Sequence, residues 1–148
     1  MGTMPVVSTL IVEDNASFRG SLKEILGARF PQMAVDEVGS TEEALEKMAS
    51  LRPDLMFVDI RLPGQNGLEL TRRVRKNDTE VVILILTNYD LPEFREAAYR
   101  YGVNYFFSKS TSSMEEIVTA VELILRQKGE QRGNLERAPQ DPVSEGVS

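Results

Sequence analysis

The chain has 148 residues with 17 basic and 23 acidic side chains, a net charge of -6, and no cysteine, histidine or tryptophan. These absences exclude zinc fingers, thiol and Ser-His-Asp nucleophiles, histidine-ligated zinc proteases and haem ligand sets, and the acidic balance argues against unspecific DNA binding by the whole chain. The length predicts one domain, and the lack of a disulfide framework and of a secretory leader predicts a cytoplasmic protein.

In the first half of the chain, short apolar runs alternate with apolar residues at helical spacing. Val6–Val12 is too short for a buried helix and ends in acids, which predicts a strand, and Met33–Val38 alternates as a second strand. Between them a helix is indicated by Phe18, Leu22, Ile25, Leu26 and Phe30. A second helix is predicted to begin at a cap formed by Ser40 and Glu43 and to end before Pro53. Its apolar face consists of Ala44, Leu45, Met48 and Ala49. A third strand is predicted at Leu55–Val58.

The second half of the chain repeats this alternation. Its run Glu80–Leu86 does not alternate, which predicts a strand buried on both faces. Pro92 suits the first turn of a helix, because its missing N–H costs nothing there, and Gly102 ends that helix after Tyr101. A helix is also predicted to begin at Asn66-Gly67, with Leu68, Thr71 and Val74 on one face, and a strand is predicted at Asn104–Phe107. The last predicted helix is capped by Ser112 and Glu115. Its apolar face consists of Ile117, Val118, Val121, Ile124 and Leu125.

Five strand–helix repeats predict an α/β fold, a parallel sheet with helices on both faces, because each crossover must be right-handed. Residues 5–126 carry this domain. Residues 127–148 contain three glycines, two prolines, seven charges and only scattered apolar residues, which predicts a flexible tail or a truncated linker. The longest aliphatic run, Val81–Leu86, has six residues, whereas a bilayer span needs about 20, so no membrane segment is predicted.

Polar side chains follow four of the predicted strands: Glu13 and Asp14, then Asp59, then Thr87, then Lys109. Because ligands bind beyond the carboxyl ends of parallel strands, we expect them on one rim of the sheet. Three converging carboxylates repel one another and raise at least one pKa, unless a cation such as Mg²⁺ joins them. Asp59 follows the central strand and is the predicted nucleophile toward phosphorus, with Thr87 as a donor and Lys109 as a counter-charge.

At this point the residues resemble the receiver domain of bacterial two-component response regulators. The resemblance rests on Glu13-Asp14, Asp59-Ile60-Arg61-Leu62-Pro63-Gly64-Gln65-Asn66-Gly67, Leu86-Thr87 and Phe106-Phe107-Ser108-Lys109, and it covers residues 6 to 126. It implies a flavodoxin-like, doubly wound sheet of five parallel strands in the order 2-1-3-4-5 with five helices.

The resemblance also implies a role for each acidic residue of the site. Asp59 corresponds to the phosphoacceptor, and the Mg²⁺ ligands would be Asp59, Asp14, Glu13 through a water, and the backbone carbonyl of Arg61. Arg61 and Tyr89 occupy positions that tune the lifetime of the phosphoryl group in the family.

The remaining roles concern the response to the phosphoryl group. Thr87 corresponds to the hydroxyl that moves toward it, Phe106 to the aromatic residue that then turns inward, and Lys109 to the cation that pairs with a phosphoryl oxygen. Two positions depart from the family pattern. Ser110 stands where many receivers have a proline after a cis bond, and Asn88 stands where the family often has alanine or glycine, which narrows access to the phosphoryl group.

The implied function is a signalling switch and not a metabolic enzyme. A sensor histidine kinase or a His phosphotransfer protein would supply the phosphoryl group. The surface of the fourth helix, fifth strand and fifth helix would then change its partner or form a homodimer. Seven of the ten phenylalanines and tyrosines lie between Tyr89 and Phe107, in this part of the chain.

Three alternatives stay open from the sequence: a phosphorelay carrier, a degenerate receiver that acts only as a protein-binding module, and a Mg²⁺-dependent phosphohydrolase. The last usually carries a second acid two residues after the nucleophile, where this chain has Arg61. The basic run from Arg72 to Lys76 is interpreted as the exposed end of a helix, where cations suit the helix dipole. No nucleic-acid contact is therefore predicted for this chain itself.

Overall fold

The computed structural model describes residues 6–137, which form a five-stranded sheet and five helices. The strand order is β2-β1-β3-β4-β5, and every pair of neighbours is parallel. The predicted fold and the order 2-1-3-4-5 are therefore confirmed. The elements are β1 Val7–Val12, α1 Ala16–Arg29, β2 Met33–Val38, α2 Thr41–Leu51, β3 Leu55–Val58, α3 Gly67–Asn77, β4 Val82–Thr87, α4 Pro92–Arg100, β5 Tyr105–Ser108 and α5 Met114–Arg137.

The strands β2 and β3 have the predicted bounds, whereas β4 begins two residues later than predicted and ends at Thr87. Asp78 explains the late start, because its carboxylate accepts the backbone N–H groups of Glu80 and Val81 at 2.8 and 3.0 Å. An aspartate that binds amides two and three residues ahead makes a turn and takes those amides from the sheet.

The helix α5 is capped by Ser113, not by the predicted Ser112. The Ser113 hydroxyl accepts the Glu116 N–H at 3.1 Å, and the Glu116 carboxylate accepts the Ser113 N–H at 2.7 Å. Ser112 instead accepts the backbone N–H of Ser108 at 3.2 Å. The predicted type of cap is correct, but its position is wrong by one residue because Ser112 is engaged at the end of β5.

Residues 127–137 are helical, whereas the sequence predicted a tail from residue 127 onward. Glutamine, lysine, arginine and glutamate are good helix formers, and adding a residue to an existing helix costs far less than starting one. The low apolar content of residues 127–137 therefore does not end α5.

The chain divides into two compact units, one up to Ser112 and one from Ser113 onward. Residue 5, the predicted start of the domain, and residues 138–148 of the predicted tail lie outside the described residues.

One face of the sheet forms the larger part of the core of the first unit. Residues at alternate positions of β1, β3 and β4 point to this face, and residues of α2, α3 and α4 pack on it. The cluster includes Leu10, Val12, Met56, Val58, Ile83 and Ile85 from the strands and Ala44, Leu70, Val74 and Ala98 from the helices. The sheet therefore presents its carboxyl ends from a rigid support.

The basic run on α3 is largely engaged with its own chain. Arg72 contacts Glu69 at 3.2 Å, and Arg73 contacts Gln65 at 3.1 Å. The Arg75 guanidinium donates to the carbonyls of Gly102 and Asp78 and to the side chain of Asn104. Among the helices described between residues 6 and 137, none is long and apolar enough to cross a membrane.

Candidate functional site

Three carboxylates meet at the carboxyl edge of the sheet. Glu13 and Asp14 directly follow β1 and Asp59 follows β3, and one carboxylate oxygen from each lies within 4.8 Å of the other two. Glu13 and Asp59 are buried, with 3% and 7% of their surfaces exposed, whereas Asp14 is exposed. The structure thus brings together the three acids that the sequence placed on one rim.

Lys109 links two of these carboxylates. Its ammonium lies 2.7 Å from Glu13 Oε1 and 3.1 Å from Asp59 Oδ2. Burial raises the pKa of Glu13 and the charge of Asp59 adds to the rise, against the hydrogen bonds from Lys109 and the Asn15 amide, which lower it. Burial would lower the pKa of Lys109, but its contacts with Glu13 and Asp59 raise it above its ordinary value. The sequence predicts that repulsion among the carboxylates raises one pKa; the pKa of Glu13 is raised first by burial, and the negative charge of Asp59 adds a smaller part.

Two residues of α1 contact this cluster and were not identified as site residues from the sequence. The Phe18 ring lies under the Lys109 ammonium, 4.3 Å from its centre. The Arg19 guanidinium donates to the backbone carbonyl of Glu13 at 2.6 Å and to Glu37 Oε1 at 2.8 Å. Phe18 was assigned to a core face by its spacing, and it is in fact half-buried. The sequence offers one indication that Phe18 and Arg19 belong to the site, which is their position about one helical turn after Asp14.

The loop after β3 is tightly fitted around Asp59. The backbone N–H of Arg61 points to Asp59 Oδ1 at 3.4 Å, and the Gly67 N–H donates to the Ile60 carbonyl at 2.6 Å. A Cβ atom at Gly67 would lie 2.0 Å from the Asp59 carbonyl oxygen, so only glycine fits there. The Arg61 guanidinium hydrogen-bonds the hydroxyl of Tyr89, which joins this loop to the one after β4.

The predicted switch residues are both buried. Thr87 ends β4, and its hydroxyl accepts the backbone N–H of Tyr89 at 3.2 Å while its carbonyl accepts the Lys109 N–H at 2.8 Å. Phe106 lies in β5 with the Arg95 guanidinium 4.5 Å from its ring centre. Neither side chain belongs to the carboxylate cluster itself.

Within residues 6–137 every peptide bond is trans, so the bond between Lys109 and Ser110 is trans as well.

The donor set of this edge fits a hard divalent cation. Glu13, Asp14 and Asp59 offer carboxylate oxygens close enough to share one ion, and the exposure of Asp14 leaves room for the waters that Mg²⁺ retains. The carbonyl of Arg61 stands in the same loop as Asp59.

The family model described as the response regulator receiver domain matches residues 9–122. The chain belongs to the response regulator receiver family. It is thus the receiver domain of a two-component response regulator, a class of domain that binds Mg²⁺ and interacts with histidine kinases.

Individual relatives agree with this family. The chain is 34% identical over 110 residues to the DNA-binding transcriptional activator DevR/DosR of Mycobacterium tuberculosis, covering 74% of this chain and 51% of that protein. It is 32% identical over 120 residues to the response regulator MprA of Mycobacterium ulcerans, covering 81% of this chain and 50% of that protein. The receiver therefore spans about half the length of these curated relatives.

Solved structures show the same fold. A LuxR-family two-component response regulator from Aurantimonas has a TM-score of 0.75 and 30% identity, covering 83% of this chain and 87% of that one. A two-component response regulator from Clostridium difficile has a TM-score of 0.77 at 24% identity, covering 82% of this chain and 98% of that one.

Proposed function

We propose that this receiver is a phosphorylation switch in which Asp59 accepts a phosphoryl group from a phosphohistidine of a sensor histidine kinase or a His phosphotransfer protein. The observation that carries the proposal is the position of Asp59 Oδ2, 3.1 Å from the Lys109 ammonium and inside a cluster of three carboxylates. A carboxylate held beside a largely enclosed cation is poised for a phosphoryl group, because such transfer depends on positioning and on charge neutralisation.

The transfer exchanges one bond to phosphorus for another. An oxygen of the Asp59 carboxylate attacks phosphorus, the bond from phosphorus to the imidazole nitrogen breaks, and the imidazole keeps the electron pair. Lys109 balances the charge on the phosphoryl oxygens, and the Thr87 hydroxyl at the end of the neighbouring strand is available as a donor. The same site hydrolyses the aspartyl phosphate with water, so the only catalysis proposed is that of its own modification.

The metal site proposed for Mg²⁺ consists of Asp14 and Asp59, Glu13 through a water, and the backbone carbonyl of Arg61. Bound there, the ion supplies positive charge to the phosphoryl oxygens and relieves the repulsion among the carboxylates. The protein holds Glu13 for this purpose with three contacts to its carboxylate and backbone N–H, from Lys109, the Asn15 amide and the Val38 carbonyl.

We propose that the signal leaves the site through Thr87 and Phe106 toward α4. Phosphorylation adds about two negative charges, and a hydroxyl drawn to them pulls on β4, whose Ile85 pairs with Phe106. Phe106 in turn lies under Arg95 of α4. A change at this side chain alters the surface that α4 presents to a protein partner or to a second copy of the chain.

Incubation with acetyl phosphate and Mg²⁺, followed by intact-mass measurement, tests the proposal. The wild type is expected to gain one phosphoryl group, while Asp59→Asn gains none and Asp36→Asn, which changes a half-buried aspartate of β2, labels as the wild type. A chelator should abolish labelling. Equal labelling of the wild type and Asp59→Asn would remove Asp59 from the mechanism. Size-exclusion chromatography with beryllofluoride then tests whether self-association follows.

A further inference from the structure

We infer that Arg19 is a positioning residue that holds the two metal-binding acids Glu13 and Asp14 in place, an inference that rests on the proposed Mg²⁺ site. Its guanidinium donates to the backbone carbonyl of Glu13 at 2.6 Å. That carbonyl and the N–H of Asp14 belong to one planar peptide unit. Arg19 therefore fixes the orientation of the peptide plane from which both acids project.

The other contacts of Glu13 leave this peptide plane unrestrained. Its N–H donates to the Val38 carbonyl, while its carboxylate contacts Lys109 and the Asn15 amide. Among the hydrogen bonds described, the one from Arg19 is the only one made to the Glu13 carbonyl. Without it, rotation of this peptide would carry Asp14 away from the cluster, since Asp14 is exposed to solvent.

Glu37 fixes Arg19 for this task. Its carboxylate accepts Arg19 Nε at 2.8 Å from the adjacent strand β2, and Lys23 lies 3.2 Å from its other oxygen. Only 21% of the Arg19 side chain is exposed, so its guanidinium group has little freedom to change conformation. The planar guanidinium of an arginine holds its acceptors in fixed directions, whereas the three donors of a lysine ammonium rotate on a flexible stem.

A positioning role and a simple charge effect predict opposite results when Arg19 is removed. Deleting a positive charge near three carboxylates makes the site more negative, which strengthens the attraction for a divalent cation. Loss of positioning weakens cation binding, because contacts that orient ligands are typically worth tenfold or more in metal affinity. The sign of the change therefore separates the two explanations.

Lys23 supplies a matched control for Arg19. It also pairs with Glu37 and lies on the same helix, but its side chain is 46% exposed and it makes none of the described contacts to Glu13. Replacing Lys23 removes the same charge and leaves the Glu13 carbonyl bound to Arg19.

The test is a titration of the full chain with Mn²⁺, in which the signal of free Mn²⁺ is followed by electron paramagnetic resonance. We expect Arg19→Met to bind Mn²⁺ about tenfold more weakly than the wild type, and Lys23→Met to bind as tightly or slightly more tightly. Arg19→Lys keeps the charge and should fall between Arg19→Met and the wild type. Glu37→Gln should weaken binding in the same direction, and urea unfolding at pH 7 checks that this variant is folded.

The outcomes distinguish the inference from the proposed function. Wild-type or tighter Mn²⁺ binding by Arg19→Met or Arg19→Lys would overturn the role of Arg19. A wild type that binds no Mn²⁺, or an Asp14→Asn variant that binds as tightly as the wild type, would instead overturn the metal site itself.

Discussion

The ammonium of Lys109 lies over the face of the Phe18 ring, 4.3 Å from its centre. Together with the carboxylates of Glu13 and Asp59, the ring encloses the cation on a third side, so only 10% of the Lys109 side chain is exposed. A cation over an aromatic face gains about 0.5–2 kcal/mol, more where water is excluded. Phe18 therefore helps to hold Lys109 between the two carboxylates.

Replacing Phe18 with leucine is expected to slow phosphorylation of Asp59. Leucine fills part of the space but has no ring face, so Lys109 loses one restraint, and a loss of about threefold in rate corresponds to the lower range of such contacts. The measurement is the initial rate of labelling by acetyl phosphate. Phe18→Tyr keeps the ring and should label at nearly the wild-type rate, and an unchanged rate in Phe18→Leu would contradict the role given to Phe18.

The pair formed by Arg61 and Tyr89 is expected to lengthen the life of the aspartyl phosphate. The two side chains are hydrogen-bonded, and the Arg61 guanidinium lies 5.6 Å from the Tyr89 ring centre. They join the loop that follows β3 to the loop that follows β4, and we expect this link to limit the approach of water to the aspartyl phosphate. Breaking the link with Tyr89→Phe should speed loss of the phosphoryl group severalfold, measured as the decay of the phosphorylated mass after removal of acetyl phosphate.

A double-mutant cycle checks that this effect belongs to the pair. If Arg61 and Tyr89 act together, Arg61→Met and Tyr89→Phe combined should speed the decay little more than either change alone. Tyr99→Phe serves as the control, since Tyr99 is an exposed tyrosine of α4. Fully additive effects of the two changes would show that each residue acts alone.

Much of the fold could be predicted because its signals are local. The end of β3 could be predicted because four apolar residues, all of them buried in the structure, come directly before the charged Asp59. The cap of α5 shows the limit of such signals: Ser112 and Ser113 each have a glutamate three residues later, and only the contact of Ser112 with Ser108 decides between them. The length of α5 was missed because low apolar content was interpreted as the end of a helix.

The site divides in the same way. Glu13, Asp59 and Lys109 could be predicted because residues that follow parallel strands meet at one edge. Arg19 could not, because its function depends on contact with Glu37, 18 residues away, and on the direction of a guanidinium. Gly67 was interpreted as the opening of a helix, and its closeness to the Asp59 backbone arises only when α3 packs beside β3.

Replacing Gly67 with alanine is expected to destabilise the protein and to disturb Asp59. The new Cβ would lie 2.0 Å from the Asp59 carbonyl oxygen and 2.9 Å from Val58 Cγ1, so the loop must move. Overpacking of this kind costs about 1–3 kcal/mol in the free energy of unfolding, which urea unfolding measures. We expect slower labelling by acetyl phosphate as well, because the phosphoacceptor shifts with its backbone.

A second glycine provides the control for that substitution. Gly20 lies inside α1, and nothing is within 4 Å of the position of its Cβ. Gly20→Ala should therefore stabilise the protein by about 0.5–1 kcal/mol, because alanine favours the helix. A Gly67→Ala variant that is as stable as the wild type would show that the loop adapts without cost.

The pairing of Glu37 with Arg19 and Lys23 is expected to make part of the stability depend on pH. The hydrogen bond from Arg19, and then that from Lys23, hold the pKa of Glu37 below its ordinary value of 4.5. A carboxylate whose pKa is lower in the folded state stabilises the fold at pH values above its unfolded pKa, and this contribution is lost as the pH falls through the folded value. The free energy of unfolding of the wild type should thus exceed that of Glu37→Gln at pH 7, and the difference should shrink below about pH 4.5.

Urea unfolding of both proteins between pH 7 and pH 3 measures the difference, with Glu24→Gln as a control that removes the same charge from an exposed position of α1. A difference that stays constant over this range would show that the ionised carboxylate of Glu37 adds nothing to the stability of the fold.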